Sequence, residues 1–236
     1  MSSTNTGEVF GAIFENNAWG SAESVSGPGS ELVNVRQLLR ELPGLLRDVG
    51  VTSMLDVPCG DFNWMRHVPL GQIEYVGADI VDVLIDSNRA QHGQTNRTFV
   101  KLDLLSDALP KSDLILCRDC LFHFSIDDVF KALNAFCDSG SKWLLTTTMI
   151  YRSLLRNVPI KTGEWTPLNL EMAPYHLPPP RRLILEGNVT EVCQYTVNDV
   201  TFNSPQNDRC LGLWFLDDVA ETLVRLGKRV QKAGVR

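Results

Sequence analysis

Short apolar blocks alternate with polar stretches along most of the chain, and the pattern within each block indicates the element that it forms. Brief, mostly apolar runs bounded by polar or turn residues predict buried strands. They lie at 54–57, 74–78, 98–102, 113–117, 142–148, 183–186 and 211–215. The alternating stretch 192–202 predicts one extra strand.

Other stretches place an apolar residue at every third or fourth position, which is the period of an amphipathic helix. The first spans 31–48, with Ser30 as its N-cap, and Pro43-Gly44 is expected to kink or divide it. A short helix is expected after the first strand. The remaining helices are predicted at 81–89, 126–137 (capped by Ser125) and 217–230. Strands that alternate with helices predict βαβ units, and hence an α/β fold with a parallel sheet.

Composition narrows the class of protein. The 236 residues suit one α/β domain with extensions, and 44% hydrophobic with 21% charged residues is typical of a soluble protein. A net charge of −6 without a long basic run argues against nucleic-acid binding. No apolar stretch approaches the roughly 20 residues of a membrane helix, and the polar N-terminus does not resemble a signal peptide. We therefore expect a cytoplasmic protein that has neither a membrane nor a nucleic-acid partner.

The six cysteines are expected to be reduced thiols, as is usual in the cytoplasm. Cys117 and Cys120 form a C-x-x-C, which is found in redox and metal sites. Cys117 also ends a predicted strand, and no second Cys/His pair stands at zinc-finger spacing, so no metal site is predicted. The apolar face of the 31–48 helix would serve either a homodimer or packing on the sheet.

The most informative stretch runs from Met54 to Met65, where a strand, the tight turn Pro58-Cys59-Gly60 and a helix start follow one another. Gly60 lets a ligand approach the backbone closely. Asp79 ends the second strand about 20 residues after Asp56, and an acid there is placed to bind ribose hydroxyls.

Four motifs within residues 51–148 resemble, in the same order along the chain, those of class I S-adenosylmethionine-dependent methyltransferases. They are Asp56-Val-Pro-Cys-Gly60, Gly77-Ala-Asp79, Leu102-Asp103-Leu104 and Asp113-Leu-Ile-Leu-Cys-Arg-Asp119. The resemblance implies a Rossmann-like, doubly wound, seven-stranded sheet that is mostly parallel and has an antiparallel terminal hairpin. Pro58 and Phe62 depart from the usual glycine-rich loop. A nicotinamide-binding Rossmann domain is the rival, but it would need G-x-G-x-x-G where this chain has only Gly60.

The resemblance also implies which residues bind S-adenosyl-L-methionine. Asp56, with Pro58, Cys59 and Gly60, would frame the methionine part, Asp79 and Ile80 the ribose, and Asp103 and Leu104 the adenine. Each acid also has a structural alternative: a turn cap for Asp56, a helix cap for Asp79 and a solvated turn for Asp103.

Three polar residues follow the fourth strand, beside the expected methyl group, and are the catalytic candidates: Arg118, Asp119 and His123. Asp119 would orient an amine or accept a proton from a hydroxyl, and His123 is the natural general base. Arg118 also belongs to the expected cofactor set. The alternative is a structural Arg118–Asp119 ion pair beside a half-buried histidine.

The first 50 residues are expected to form a lid and a helix, ahead of a methyltransferase domain at 51–236. Trp19 would cover the cofactor, Gly29 and Ser30 would lie near its carboxylate, and Arg36 would join them. Gly27-Pro28-Gly29 can form a nest of backbone N–H groups suited to an anion. A disordered terminus is the alternative.

The resemblance implies that substrate recognition lies before the first strand and after the fifth, here at 1–50 and in the proline-rich segment 149–182. The candidate substrate residues are Asp61, Trp64, Glu164, Trp165 and Asn169, although loop aromatics often only cover a core. The acids Asp61, Asp119 and Glu164 favour a cationic or amine substrate.

The predicted activity is methyl transfer to a nitrogen or oxygen of a small molecule, such as an amine-bearing secondary metabolite. A protein methyltransferase and a non-catalytic, cofactor-binding regulator are the alternatives. The sequence leaves the acceptor atom, the substrate and the oligomeric state open.

Overall fold

The computed structural model describes residues 5–150, 157–186, 192–197, 200–205 and 209–229. Residues 1–4 of the expected lid and 151–156 of the expected substrate segment lie outside this part. The strands are β1 Ser53–Asp56, β2 Glu74–Asp79, β3 Arg97–Lys101, β4 Leu114–Cys117, β5 Trp143–Met149, β6 Arg182–Leu185, β7 Val192–Val197, β8 Val200–Pro205 and β9 Arg209–Phe215. The helices are α1 Thr6–Glu15, α2 Arg36–Asp48, α3 Asp82–His92, α4 Ile126–Asp138 and α5 Leu216–Arg225.

Seven strands form one sheet in the order β3-β2-β1-β4-β5-β9-β6. The first five run parallel, whereas β9 is antiparallel to both β5 and β6. This confirms the predicted doubly wound sheet with an antiparallel terminal pair. The stretch predicted as one extra strand instead forms two, because the chain reverses between β7 and β8 and these pair as a separate ribbon.

The central strand β4 is buried on both faces, which explains its unbroken apolar sequence. Leu114 and Leu116 pack with the apolar face of α2, while Ile115 and Cys117 pack with residues of α4 and α5. Successive side chains of a strand point to opposite faces, so a strand between two helical layers needs an apolar residue at every position. The apolar face of α2 is thereby used within the chain.

The helix boundaries differ from the sequence prediction near Ser30. Residues 28–30 form a single 3-10 turn, α2 begins at Arg36 after Val35, and Ser30 is not its N-cap. Pro43 lies inside α2 without dividing it. By contrast, Ser125 caps α4 as predicted, its Oγ accepting from the N–H of Asp128 at 3.2 Å.

Two further elements around β1 differ from expectation. The helix expected after β1 is only a 3-10 turn at 65–67. α1 was not predicted, and it has no buried residue. No helix among the described residues combines the length and apolarity needed to cross a bilayer, and these residues contain no group of side chains suited to a metal ion.

Candidate active site

A cavity opens where β1, β2, β3 and β4 end, at the point where the strand order reverses direction. The space between its atoms is about 990 Å³, the open mouth included. Such a switch point is where open α/β sheets bind ligands. Each of the four strand ends contributes a polar or charged residue to the lining: Asp56, Asp79, Asp103, Arg118 and Asp119.

The turn after β1 is tied to its neighbours by backbone groups. Gly60 adopts φ +55°, and its N–H donates to Asp79 Oδ2 at 3.0 Å. Its carbonyl accepts from Asn88 Nδ2 at 2.8 Å. Phe62, one of the departures from the family pattern, is buried and meets Phe99 edge to face at 5.2 Å between ring centres. The turn is therefore rigid although it lacks the usual glycines.

Asp56 is a buried carboxyl on the cavity wall. Its Oδ2 accepts from the hydroxyl of Tyr75 at 2.6 Å. Burial, which disfavours the charged form, raises the pKa of Asp56 to about 7, against the opposing effects of the Tyr75 hydroxyl and Arg118. A positive group in the cavity would favour the ionised carboxylate.

Asp79 lies at the end of β2, with both carboxylate oxygens directed by backbone donors. Gly60 donates to Oδ2 and Val81 to Oδ1, each at 3.0 Å. Burial raises the pKa of Asp79, although these donors pull it down. A carboxylate has about four acceptor positions, so it can accept further hydroxyl donors.

Asp103 combines a turn role with a place on the cavity wall. Its Oδ1 accepts from the N–H of Leu105 at 2.9 Å, and its own N–H donates to Asp107 Oδ2 at 2.8 Å. Leu104 and Ile80 line the cavity as well. The turn alternative considered for Asp103 is thus present, together with a position in the lining.

Arg118 and Asp119, after β4, belong to a closed ring of four charges. Arg118 Nη1 lies 3.1 Å from Asp119 Oδ2, and Arg118 Nε lies 2.7 Å from Glu186 Oε1. Arg209 closes the ring, with its Nη1 2.9 Å from Asp119 Oδ2 and its Nε 2.7 Å from Glu186 Oε2. The structural ion pair considered as an alternative is therefore present, within a larger network.

The ring fixes the charge states of Arg118 and Asp119. Burial alone would lower the pKa of Arg118, but the negative charges of Asp119 and Glu186 outweigh burial. The pKa of Arg118 is therefore raised, and the guanidinium stays charged. Burial alone would raise the pKa of Asp119, but Arg118 and Arg209 outweigh it and the pKa falls. Asp119 Oδ1 also receives Thr147 Oγ1 at 3.3 Å. A carboxylate held ionised in this way is a poor proton acceptor.

His123 lies on the cavity wall, one turn after Asp119. Its Nδ1 is 2.9 Å from the carbonyl oxygen of Glu164. A carbonyl only accepts, so Nδ1 carries the proton and Nε2 is the basic nitrogen of the neutral ring. Burial lowers the pKa of His123, against the opposing effects of the Glu164 carbonyl and Asp119. The neutral, proton-accepting form is therefore favoured near pH 7.

The N-terminal segment contributes residues to the lining of this cavity. Trp19 lies against His123, with ring centres 5.5 Å apart, and Ser30 is also in the lining. Gly29 contacts the charge ring instead, its carbonyl accepting from Arg118 Nη2 at 2.7 Å. The structure does not bring Arg36 to the cavity, because α2 begins there with its side chain exposed.

Of the five predicted substrate residues, only Trp64 lines the cavity, where Arg118 lies over its ring at 5.2 Å. Glu164 folds back onto the N–H of Lys161 at 2.8 Å, and Trp165 packs on Phe122. Asn169 is buried, accepting from the N–H of Glu171 at 2.9 Å.

Asp61, the remaining candidate, accepts from the N-terminal segment. The structure therefore gives Asp61, Glu164, Trp165 and Asn169 contacts outside the cavity.

Sequence reasoning missed the cavity residues of α1 and two members of the charge ring. Phe10 and Phe14 line the cavity, and their spacing of four residues was the available signal. Glu186 directly follows β6, and Arg209 is the first residue of β9, so each is a charge next to an apolar run. Their partners lie far away in sequence, so only the fold reveals the pairing.

Scans of protein-family models and of curated proteins gave no match. Among solved structures, the chain is similar to magnesium protoporphyrin IX methyltransferase from Synechocystis PCC 6803 with bound S-adenosylmethionine, at 11% identity and a TM-score of 0.54, covering 91% of this chain and 99% of that one. The chain is also similar to PigF with S-adenosylhomocysteine, at 11% identity and a TM-score of 0.54, covering 88% of this chain and 62% of that one.

The methyltransferase domain of a bacterial Hen1 gives 14% identity and a TM-score of 0.53, over 78% of this chain and 98% of that one. At such identities the similarity concerns the fold. The chain has the fold of class I S-adenosylmethionine-dependent methyltransferases.

Proposed function

We propose that this protein transfers a methyl group from S-adenosylmethionine to a nitrogen or oxygen of a small molecule. The observation that carries the proposal is the convergence of Asp56, Asp79 and Asp103, from three strand ends, on one cavity that also holds a buried arginine. The shared fold supports it, since two similar structures contain S-adenosylmethionine or S-adenosylhomocysteine.

The donor set of the cavity fits this cofactor. Burial raises the pKa of Asp56 to about 7, and Asp56 forms no salt bridge with any residue in the described part of the chain, so it suits the ammonium of the methionine part. Asp79 has acceptor positions for ribose hydroxyls, and Asp103 with Leu104 suits the adenine. Arg118 supplies the positive charge that a carboxylate requires.

When bound, S-adenosylmethionine supplies an already activated methyl group, so the protein mainly has to align the acceptor. Nε2 of His123 would remove the proton of the acceptor, because Nδ1–H is committed to the Glu164 carbonyl. Asp119, held by two arginines, would instead orient the acceptor through the acceptor positions of its carboxylate. Such a hydrogen-bond acceptor supports an amine-bearing substrate.

The N-terminal segment is proposed as a lid that gives the site its preference for small molecules. Phe10, Phe14 and Trp19 add three aromatic rings to the lining, whereas a protein methyltransferase would be expected to present an open groove. Removing residues 1–30 should weaken cofactor binding, and unchanged affinity would exclude a lid.

The described cysteines are free thiols, which supports the proposed cytoplasmic setting.

Calorimetric titration with S-adenosylhomocysteine, with NADH in parallel, tests the proposal. We expect saturable binding of the former only, weakened at least about tenfold by Asp79→Ala through loss of charged hydrogen bonds. Asp82→Ala, which removes an exposed ion pair with Lys101, is the control and should bind like the wild type. Binding of NADH alone would favour an oxidoreductase, and binding without methylation of any amine or hydroxyl acceptor would favour a regulator.

A further inference from the structure

The carboxylate of Asp61 faces the N-terminal segment and not the cavity. Its Oδ2 accepts from Ser24 Oγ at 2.8 Å and from the N–H of Val25 at 3.0 Å. Its Oδ1 accepts from Ser26 Oγ at 3.2 Å, and the same hydroxyl accepts from the N–H of Asp61 at 3.1 Å. Three successive residues of one segment thus converge on a single carboxylate.

This contact lies directly against the turn that carries Gly60. A Cβ placed on Gly60 would overlap Ser26 Oγ, so the Ser26 side chain packs directly on this glycine. The N–H of Gly60 donates to Asp79. Asp61 therefore joins the segment to the loop proposed to hold the methionine and ribose parts of the cofactor.

A second contact from the same turn holds the neighbouring part of the segment. Asn63 Nδ2 donates to Glu23 Oε1 at 2.8 Å and to the carbonyl of Ser30 at 3.1 Å. Val25, Ser26 and Ser30 all line the cavity. The segment 23–30 is thus a wall of the cavity built on the turn after β1.

Resting on the proposed function, we propose that Asp61 is a positioning residue that holds the segment 23–30 against the cofactor loop and so sets how long the cofactor product stays bound. Hydrogen bonds to a charged acceptor are stronger than those to a neutral one. Without the carboxylate the wall opens more often, which speeds ligand escape. Entry changes less, because association rates vary much less than dissociation rates among variants of one binding site.

Asp113 provides a matched control at the opposite end of the sheet. Its Oδ2 accepts from the Oγ1 of Thr52 at 2.6 Å and from the N–H groups of Thr52 and Ser53 at 2.8 and 3.0 Å. It therefore resembles Asp61 in its donors, a hydroxyl and backbone N–H groups. It lies before β4, away from the cavity.

The experiment measures S-adenosylhomocysteine association and dissociation rates for the full chain by stopped-flow tryptophan fluorescence, which Trp19 and Trp64 in the lining make sensitive. We expect Asp61→Asn to raise the dissociation rate roughly 10- to 100-fold and to leave the association rate within about twofold. Asp113→Asn should leave both rates unchanged.

An unchanged dissociation rate in Asp61→Asn, or an equal increase in Asp113→Asn, would overturn the proposal. If Asp61→Asn does not fold, the dissociation rate of Ser26→Ala, which removes one hydroxyl donor to Asp61, decides in the same way. If the wild type does not bind the ligand, the proposed function fails by itself. The hold on the segment is then read from endoproteinase Glu-C cleavage after Glu23: faster cleavage in Asp61→Asn than in Asp113→Asn supports it, and equal rates refute it.

Discussion

The guanidinium of Arg118 lies side by side with the carboxylate of Glu186, Nε 2.7 Å from Oε1 and Nη2 3.1 Å from Oε2. Only 3% of the Arg118 side chain and 1% of the Glu186 side chain are exposed. A pair removed from water so completely is stable only if its other hydrogen-bonding positions are filled. Arg209 and Asp119 fill most of them, and the carbonyl of Gly29 accepts from Nη2 of Arg118.

Replacing Glu186 should therefore destabilise the fold strongly. Glu186→Gln keeps the shape but leaves Arg118 and Arg209 short of a counter-charge, at an expected cost of about 3–5 kcal/mol in the free energy of unfolding. Asp48→Asn, in an exposed pair with Arg182, should cost less than about 1 kcal/mol. Urea denaturation of both variants measures the difference, and equal costs would show that the ring is not a stabilising unit.

Asp56 should couple cofactor binding to proton release. Its folded-state pKa of about 7 means that much of the free protein carries the proton below pH 7. The ammonium of the cofactor favours the ionised form, so binding expels that proton and affinity rises as the pH increases towards about 7, then levels off.

Calorimetry in buffers of different ionisation enthalpy counts the released protons. We expect the count to rise below pH 7 and to vanish in Asp56→Asn. A count that does not vary between pH 6 and pH 8 would contradict the assignment of the ammonium to Asp56.

The fold and the acids that end β1 and β2 were accessible from the sequence because their signals are local. Asp56 and Asp79 each end an apolar run, so the strand that positions the acid also marks it. The partners of Asp61 and Glu186 were not accessible, because those contacts join residues that only the folded chain brings together. The sequence analysis therefore assigned Asp61 to the substrate and did not single out Glu186.

Gly29 should not tolerate a side chain. A Cβ there would lie 2.5 Å from Asp119 Oδ2 and 2.9 Å from Arg209 Nη1, so Gly29→Ala must displace the charge ring, at an expected cost of about 1–3 kcal/mol in stability. Gly11 is the matched control, because a Cβ there meets nothing within 4 Å. Gly11→Ala in α1 should stabilise by up to about 1 kcal/mol. Thermal unfolding of the two variants should therefore shift in opposite directions, and a shared direction would refute the close packing at Gly29.

His123 should govern the acidic limb of the pH–rate profile. At saturating cofactor, where the titration of Asp56 does not contribute, kcat/KM for the acceptor should rise with pH through a value below the pKa of free histidine and then remain constant. Burial lowers the pKa of His123, and only the neutral ring accepts a proton. His123→Asn should lower kcat/KM by about 100-fold or more and abolish this limb. His176→Asn is the control: His176 is exposed, lies outside the cavity lining and has a positive φ that asparagine tolerates. If the acidic limb survived in His123→Asn while the control behaved as wild type, another group would have to be the base, and Asp119, held ionised by two arginines, would be the first to re-examine.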